Sequence, residues 1–267
     1  MSPSRNPNSR PSSSPSRNRV TPMGDIVAIP LRGAWTGNRG VIHSEREIVR
    51  FHASDLWITC VLEFRGRWRE QWLPNRYTHL YFHDEAVSFA AGHRPCAECR
   101  RDSYQRYRDA WAEGLGVEPP SAVAMNRQLH AERIVRGTHR RRLHDQPWAD
   151  LPDGAFVVLD PERLDPERLD PERLDPERLG PAALDGGELD PGELDPGELD
   201  RGELAGGALS RGTPAVVSGD HLTEWATEGY RTRRRRPRVG TARVITPPST
   251  LAVLRAGYPV QVDDSAR

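Results

Sequence analysis

Cysteine is scarce in this 267-residue chain: Cys60, Cys96 and Cys99 are its only thiols, too few for a disulfide framework. Long apolar runs are missing as well. No stretch approaches the roughly 18 apolar residues of a transmembrane helix, so no membrane partner is expected. The first 20 residues lack the apolar core of a secretory signal. These absences favour a reducing cytoplasm, where thiols are available to hold a metal. Lysine is absent altogether, and all 38 basic residues are arginine, which reads as codon bias first and chemistry second.

What is present is polar: 36% hydrophobic and 28% charged residues, with two low-complexity stretches accounting for much of the polarity. The formal net charge of zero hides an asymmetry. Residues 159–210 hold 8 Asp, 8 Glu and 5 Arg, a net of −11, which leaves the rest of the chain at +11. A basic body is a prior for association with DNA or RNA, without specificity.

Residues 1–22 are almost entirely Ser, Pro, Arg and Asn and cannot bury a core, so a disordered tail is expected. Short strands follow, at 25–29, 47–51 and 56–64, with turns at Gly37-Asn38-Arg39-Gly40 and Arg65-Gly66-Arg67. Asp84 is placed to cap a helix over 85–91 that Gly92 ends. A second helix begins near Cys96 and Cys99 and runs to Glu113, with Gly114 as its stop, and a third covers 121–135. Within an insert at 159–211, residues 159–204 repeat Leu-Asp-Pro-Glu-Arg and its Gly variants. Proline in most units forbids a continuous helix, and a period of five gives leucine no single face. The expectation is an acidic, disordered insert, with a pentapeptide solenoid as the alternative. Its flanks, 154–159 and 213–217, read as two strands of a hairpin whose loop has grown. A strand over 242–245 and a helix from Pro247 or Pro248 to Arg255 close the chain.

Cys96-Ala97-Glu98-Cys99 is a C-x-x-C pair, a spacing at which two thiolates grip one tetrahedral metal ion. A helix starting just after it favours thiolate through its positive end. The competing reading, a thioredoxin-like redox pair, needs a buried strand before it in a βαβ setting, whereas here a helix leads in.

The residues around this pair, Glu85-Ala86 and then Ala90-Ala91-Gly92-His93-Arg94-Pro95-Cys96-Ala97-Glu98-Cys99, resemble the second half of the Ada-type metal-binding domain, with His93 in place of an aromatic residue. The resemblance covers about twenty residues and implies a small zinc module with four ligands. It departs in the first half, where the family's close cysteine pair is absent and only Cys60 remains. Gly37-Asn38-Arg39-Gly40-Val41-Ile42-His43 resembles the opening of related modules, so a Cys₃His zinc site of Cys60, Cys96, Cys99 and His43 is expected. Cys60 as a small core residue, His43 as a loop histidine and His93 as the rival ligand stay open. His52, His79 and His83 read as surface histidines. Further blocks at 57–64, 129–133, 151–154 and 246–249 are similar to an uncharacterised bacterial protein family, which supplies no activity.

The fold expected is α+β: a zinc-stapled α/β module at 23–115, a helical link at 116–158, and a small β-rich part at 212–267 after the insert. Three functions follow. A zinc protein that binds DNA or RNA would dock phosphates through Arg233, Arg234, Arg235 and Arg236, with Arg140, Arg141 and Arg142 nearby. An enzyme of unknown reaction would use His130 and Glu132, while His139 and His144 read as solvated. A zinc-thiolate alkyl acceptor in DNA repair would use Cys60.

Overall fold

The computed structural model describes residues 15–66, 70–160 and 212–267, and the expected insert and most of the expected tail lie outside them. The class is α+β. An N-terminal sheet is built from β1 (Arg19–Val20), β2 (Ile26–Val27), β3 (Trp35–Asn38), β6 (Ile58–Cys60), β7 (Leu80–Phe82) and β8 (Arg94–Pro95), in the order β2-β1-β7-β3-β6-β8. The β1/β7 and β6/β8 pairs are parallel. A separate hairpin pairs β4 (His43–Ser44) with β5 (Glu47–Ile48). Helix α1 (Glu85–Ala90) lies between β7 and β8, and α2 (Arg101–Leu115) and α3 (Ala122–Arg133) follow before the second sheet. A second, wholly antiparallel sheet contains β9 (His144–Pro147), β10 (Phe156–Leu159), β11 (Thr213–Ser218), β12 (His221–Ala226), β13 (Gly229–Arg235) and β14 (Thr241–Val244), in the order β13-β12-β11-β10-β14-β9. Helix α4 (Pro248–Arg255) follows.

The second sheet is the shared wall of two cores. Successive side chains of a strand point to opposite faces. On β10, Val157 and Leu159 accordingly join a core with Tyr107, Trp111, Leu129, Leu251 and Leu254. Phe156 and Val158 join the other, with Val20, Ile26, Leu80, Phe82 and Ala86. Every residue of β10 is buried, which is why it reads as an unbroken apolar run. Across residue 115, α2 packs on α4, with Tyr107 Oη and Thr250 Oγ1 3.0 Å apart.

Several expectations shift. Arg19 and Val20, placed in the tail, form β1, because Val20 is buried against the sheet and Arg19 pairs with Val27 and Tyr81. Gly37 and Asn38 end a strand rather than open a turn: a Cβ on Gly37 would lie 2.1 Å from the Ile58 carbonyl oxygen, so glycine permits the β3–β6 approach. Gly114 does not stop α2. The helix runs to Leu115 and Gly116 caps it at φ +65, while Gly114 faces Ala252 so closely that a Cβ would lie 2.4 Å from its carbonyl oxygen. Of the arginine run, Arg233, Arg234 and Arg235 belong to β13 and Arg236 follows it, and the hairpin expected around the insert is present, with Leu159 opposite Thr213.

Candidate metal centre

Strand β6 ends at Cys60, and β8 runs parallel beside it, with Ile58 opposite Arg94 and Thr59 opposite Pro95. The ladder continues one residue further: the Cys96 N–H donates to the Thr59 carbonyl at 3.0 Å, which lays Cys96 alongside Cys60. The chain then turns before α2, and the Arg100 N–H returns to the Cys96 carbonyl at 3.2 Å. That turn carries Cys99 back to the other two. The three Sγ atoms all lie within 4.8 Å of one another, with Cys96 buried and the other two half-buried, and none is in a disulfide. Tetrahedral zinc–sulfur bonds of roughly 2.3 Å set sulfur atoms about 3.8 Å apart, within that spacing. The trio can therefore hold a metal ion.

Backbone donors prepare the sulfurs for negative charge. The Glu98 N–H reaches Cys96 Sγ at 3.4 Å. Hydrogen bonds from the Cys60 and Cys99 thiols, assisted by the Cys99 and Glu98 N–H groups, push the Cys96 thiol down to about 2. Cys60 moves the other way, because it shares its proton with Cys96 and Cys99 and is desolvated. The three thiols titrate as one coupled group, which loses its remaining protons when a cation arrives. Arg94 adds positive charge behind them. Its Nε donates to Asn126 Oδ1 at 2.8 Å, its Nη1 to the Pro95 carbonyl at 2.8 Å, and its guanidinium stacks on Tyr104.

His43 is not part of this group. It sits on the β4–β5 hairpin, where its Nδ1 meets Thr78 Oγ1 at 2.6 Å and its ring packs edge-on against Trp72. In this arrangement the expected fourth ligand stands apart from the cysteines, because the strand carrying Gly37 and Asn38 leads away from them into a hairpin with its own packing. His93, the rival, is fully buried against Trp57 and Phe82 and is likewise outside the trio. All 9 histidines and all three cysteines of the chain lie among the described residues, so neither residue type supplies a fourth ligand in this arrangement. His83, read as a surface residue, is buried against Tyr230 with Nε2 3.7 Å from Asp263.

His130 and Glu132 do not share a site. Glu132 Oε2 accepts from the Ser249 N–H at 3.0 Å and from Ser249 Oγ at 2.6 Å, and so satisfies the N-terminus of α4. His130 points the other way, to Asp55 Oδ1 at 3.2 Å and to the edge of His52. His52, Asp55 and His130 bring their ligating atoms within 4.8 Å, a juxtaposition that no spacing in the sequence announces. On β13 the arginines are exposed, and several are engaged: Arg231 and Arg234 with Glu224, and Arg233 with His221 Nδ1 at 3.2 Å; Arg236, just past the strand and half-buried, donates to the Leu151 carbonyl at 2.9 Å. Arg141 is drawn inward, donating to the Ala90, Ile245 and Arg133 carbonyls.

Glu85, in the motif preceding the cysteines, is structural. It holds the Arg100 guanidinium, accepts from Tyr258 Oη at 2.9 Å and from the Gln261 N–H at 3.0 Å, and Arg100 stacks on Trp35 at 4.0 Å. The start of α2, and with it Cys99, is fastened to the C-terminal segment through this residue.

Comparison of the chain with protein-family models, with curated proteins and with solved structures gave no match.

Proposed function

We propose that the protein is a zinc protein in which Cys60, Cys96 and Cys99 bind one Zn²⁺ as thiolates. The observation that carries this reading is the convergence of all three of the chain's thiols from two strands and a helix start. Soft thiolates select zinc among the common divalent ions of a cell. The resemblance of residues 85–99 to the Ada-type domain points the same way.

Three thiolates supply most of a tetrahedral site, and the fourth position goes to water or another exogenous ligand. The ion ties β6 to the β8–α2 junction, so its binding free energy is also folding free energy for the N-terminal sheet. The test is metal analysis of the purified full chain together with Cys60→Ser and Cys96→Ser. One equivalent of zinc in the parent chain and loss of it in both variants supports the assignment. A metal-free parent whose melting is unaffected by chelator refutes it.

A second reading is weak binding to DNA or RNA. The row of exposed arginines along the edge strand β13 favours it. Replacing Arg233 to Arg236 with Ala should weaken oligonucleotide binding about equally across sequences, because phosphate contacts carry no base information. Absence of any binding at low salt would dismiss it.

A further inference from the structure

Beneath the loop that joins β5 to β6 lies a group of buried cations without a buried anion. Arg39 and Arg133 are both fully buried. Their guanidinium carbons lie 3.9 Å and 3.8 Å from the Trp57 ring, and Arg39 also lies 4.6 Å from Phe51. The half-buried Arg141 and the neutral ring of His93 complete the group. A Cβ on Gly92, at φ +83, would lie 2.6 Å from Arg133 Cδ and 3.1 Å from Arg141 Nη1, so the glycine of the cysteine motif is what lets these two side chains pass.

The hydrogen bonds distinguish the members. Arg133 spends its terminal nitrogens on the Gly92 and Asp55 carbonyls and on His130 Nδ1, and Arg141 spends its own on three carbonyls. Arg39 differs: its Nε reaches His93 Nε2 at 3.4 Å, but Nη1 and Nη2 are buried with no partner among the described residues. With His93 Nε2 accepting, the proton of that ring sits on Nδ1, which is also buried and unpartnered. Arg133 Nε and Arg141 Nε are unpartnered too. Every orphan in the group is a donor.

Neighbouring carboxylates do not offset this. The Asp55 side chain is half exposed and faces His130. Asp25 is exposed, with Oδ2 3.5 Å from Thr21 Oγ1, and acts on Arg39 only through space. Glu132 lies near Arg141 but is bonded to Ser249. Stacking on Trp57 returns part of the cost of burying each cation. Burying an unpaired ion costs more than stacking returns even after relaxation, so stacking alone leaves a deficit. Water could satisfy N–H groups but not the charge. What satisfies both is an oxyanion, and a guanidinium with two free terminal nitrogens is the fork that receives one bidentately.

We infer that Arg39, set among Arg133, Arg141 and His93, binds a phosphoryl group, with the loop of residues 51–56 as its cover. Neither the metal assignment nor the exposed arginines of β13 enter this argument. Free phosphate and the terminal phosphate of a nucleotide chain share the required chemistry.

The experiment is thermal unfolding of the full chain, as purified, in inorganic phosphate and in chloride at matched pH and ionic strength. A parallel arm compares a 5′-phosphorylated oligonucleotide with the same oligonucleotide lacking that phosphate. A saturating rise of the midpoint in phosphate is expected. At a phosphate concentration about a hundredfold above Kd the folding constant should increase about a hundredfold. Arg39→Met should lose the phosphate response while melting in chloride no lower than the parent, since it removes an uncompensated buried charge. A response only to the 5′-phosphorylated oligonucleotide would identify the nucleotide terminus as the source, and a response to inorganic phosphate the free ion. No response of the parent chain in either arm, or an unchanged response in Arg39→Met, would overturn the inference. Should Arg39→Met not fold, binding of inorganic phosphate to the parent chain by equilibrium dialysis decides alone, and no binding overturns it.

Discussion

Cys60 and Cys96 are 36 positions apart in the chain and meet because one backbone hydrogen bond, from the Cys96 N–H to the Thr59 carbonyl, prolongs a parallel strand pair. Cys60→Ser should therefore cost as much zinc as Cys96→Ser, read as metal retained after dialysis against a mild chelator. His43→Ala should keep its zinc. It should lower stability by roughly 1–3 kcal/mol, because Thr78 loses a buried partner. His93 gives a pH signature. Burial first, and the charges of Arg39, Arg133 and Arg141 second, hold its pKa well below the ordinary histidine value, so the folded chain keeps it neutral. The unfolded chain takes up its proton near about pH 6.5. Below that pH the unfolded state binds more protons, so this contribution to stability is complete above about 6.5 and is lost as the pH falls. His52, lowered to about 4 by burial and then by His130, acts with the same sign. Urea midpoints at about pH 5.5 and about pH 7.5 should differ less in His93→Phe than in the parent chain. An equal difference would contradict a neutral buried His93. At this scale the C-x-x-C pair is legible because its spacing is local. Arg39 is not, because an arginine beside a glycine reads as a solvated turn until the fold closes Phe51 and Trp57 over it.

Helix starts were the most legible elements, since capping is local chemistry. Asp84 accepts from the Val87 N–H at 2.7 Å, where the sequence places that cap, and Ser121, read as the first residue of a helix, caps it by accepting from the Ala124 N–H at 3.2 Å. The end of α2 was not legible. Gly114 carries the signature of a stop, but it serves the crossing with α4, a contact set by residues more than a hundred positions later. Gly114→Val should accordingly disrupt the α2–α4 packing and destabilise by several kcal/mol, roughly the cost of overpacking a core site at its upper end. Gly116→Ala should cost only about 1 kcal/mol, for the left-handed cap. A denaturation series that ranked the two the other way would make Gly114 a cap after all. The β10–β11 hairpin is held by four residue pairs from Phe156–Val216 to Leu159–Thr213. Replacing 161–211 with a short Gly-Ser turn should leave zinc content and cooperative unfolding intact, because closure entropy grows only slowly with loop length. Loss of soluble protein on this deletion would show that the segment contributes to the fold.

At the scale of the whole molecule, contacts join segments far apart in the chain. Composition and motifs suggest a zinc module followed by a link and a separate β-rich part, yet the second sheet supplies both cores, and Asp84 is reached from β13 and from the C-terminus, by Tyr230 Oη at 2.7 Å and the Asp263 N–H at 3.0 Å. Such long-range closure is written in which faces are apolar, not in any local spacing. Among the described residues no helix is long and apolar enough to cross a membrane. If the molecule unfolds as one unit, a chelator that removes zinc should lower a single melting transition rather than uncover a second one. The central claim, zinc on three thiolates, is tested most directly by X-ray absorption at the zinc edge on the purified full chain, with metal content measured on the same sample. The account predicts one zinc per chain and a first shell of three sulfurs at about 2.3 Å with one lighter oxygen or nitrogen ligand. A sample without zinc, or a shell dominated by oxygen and nitrogen, would contradict it.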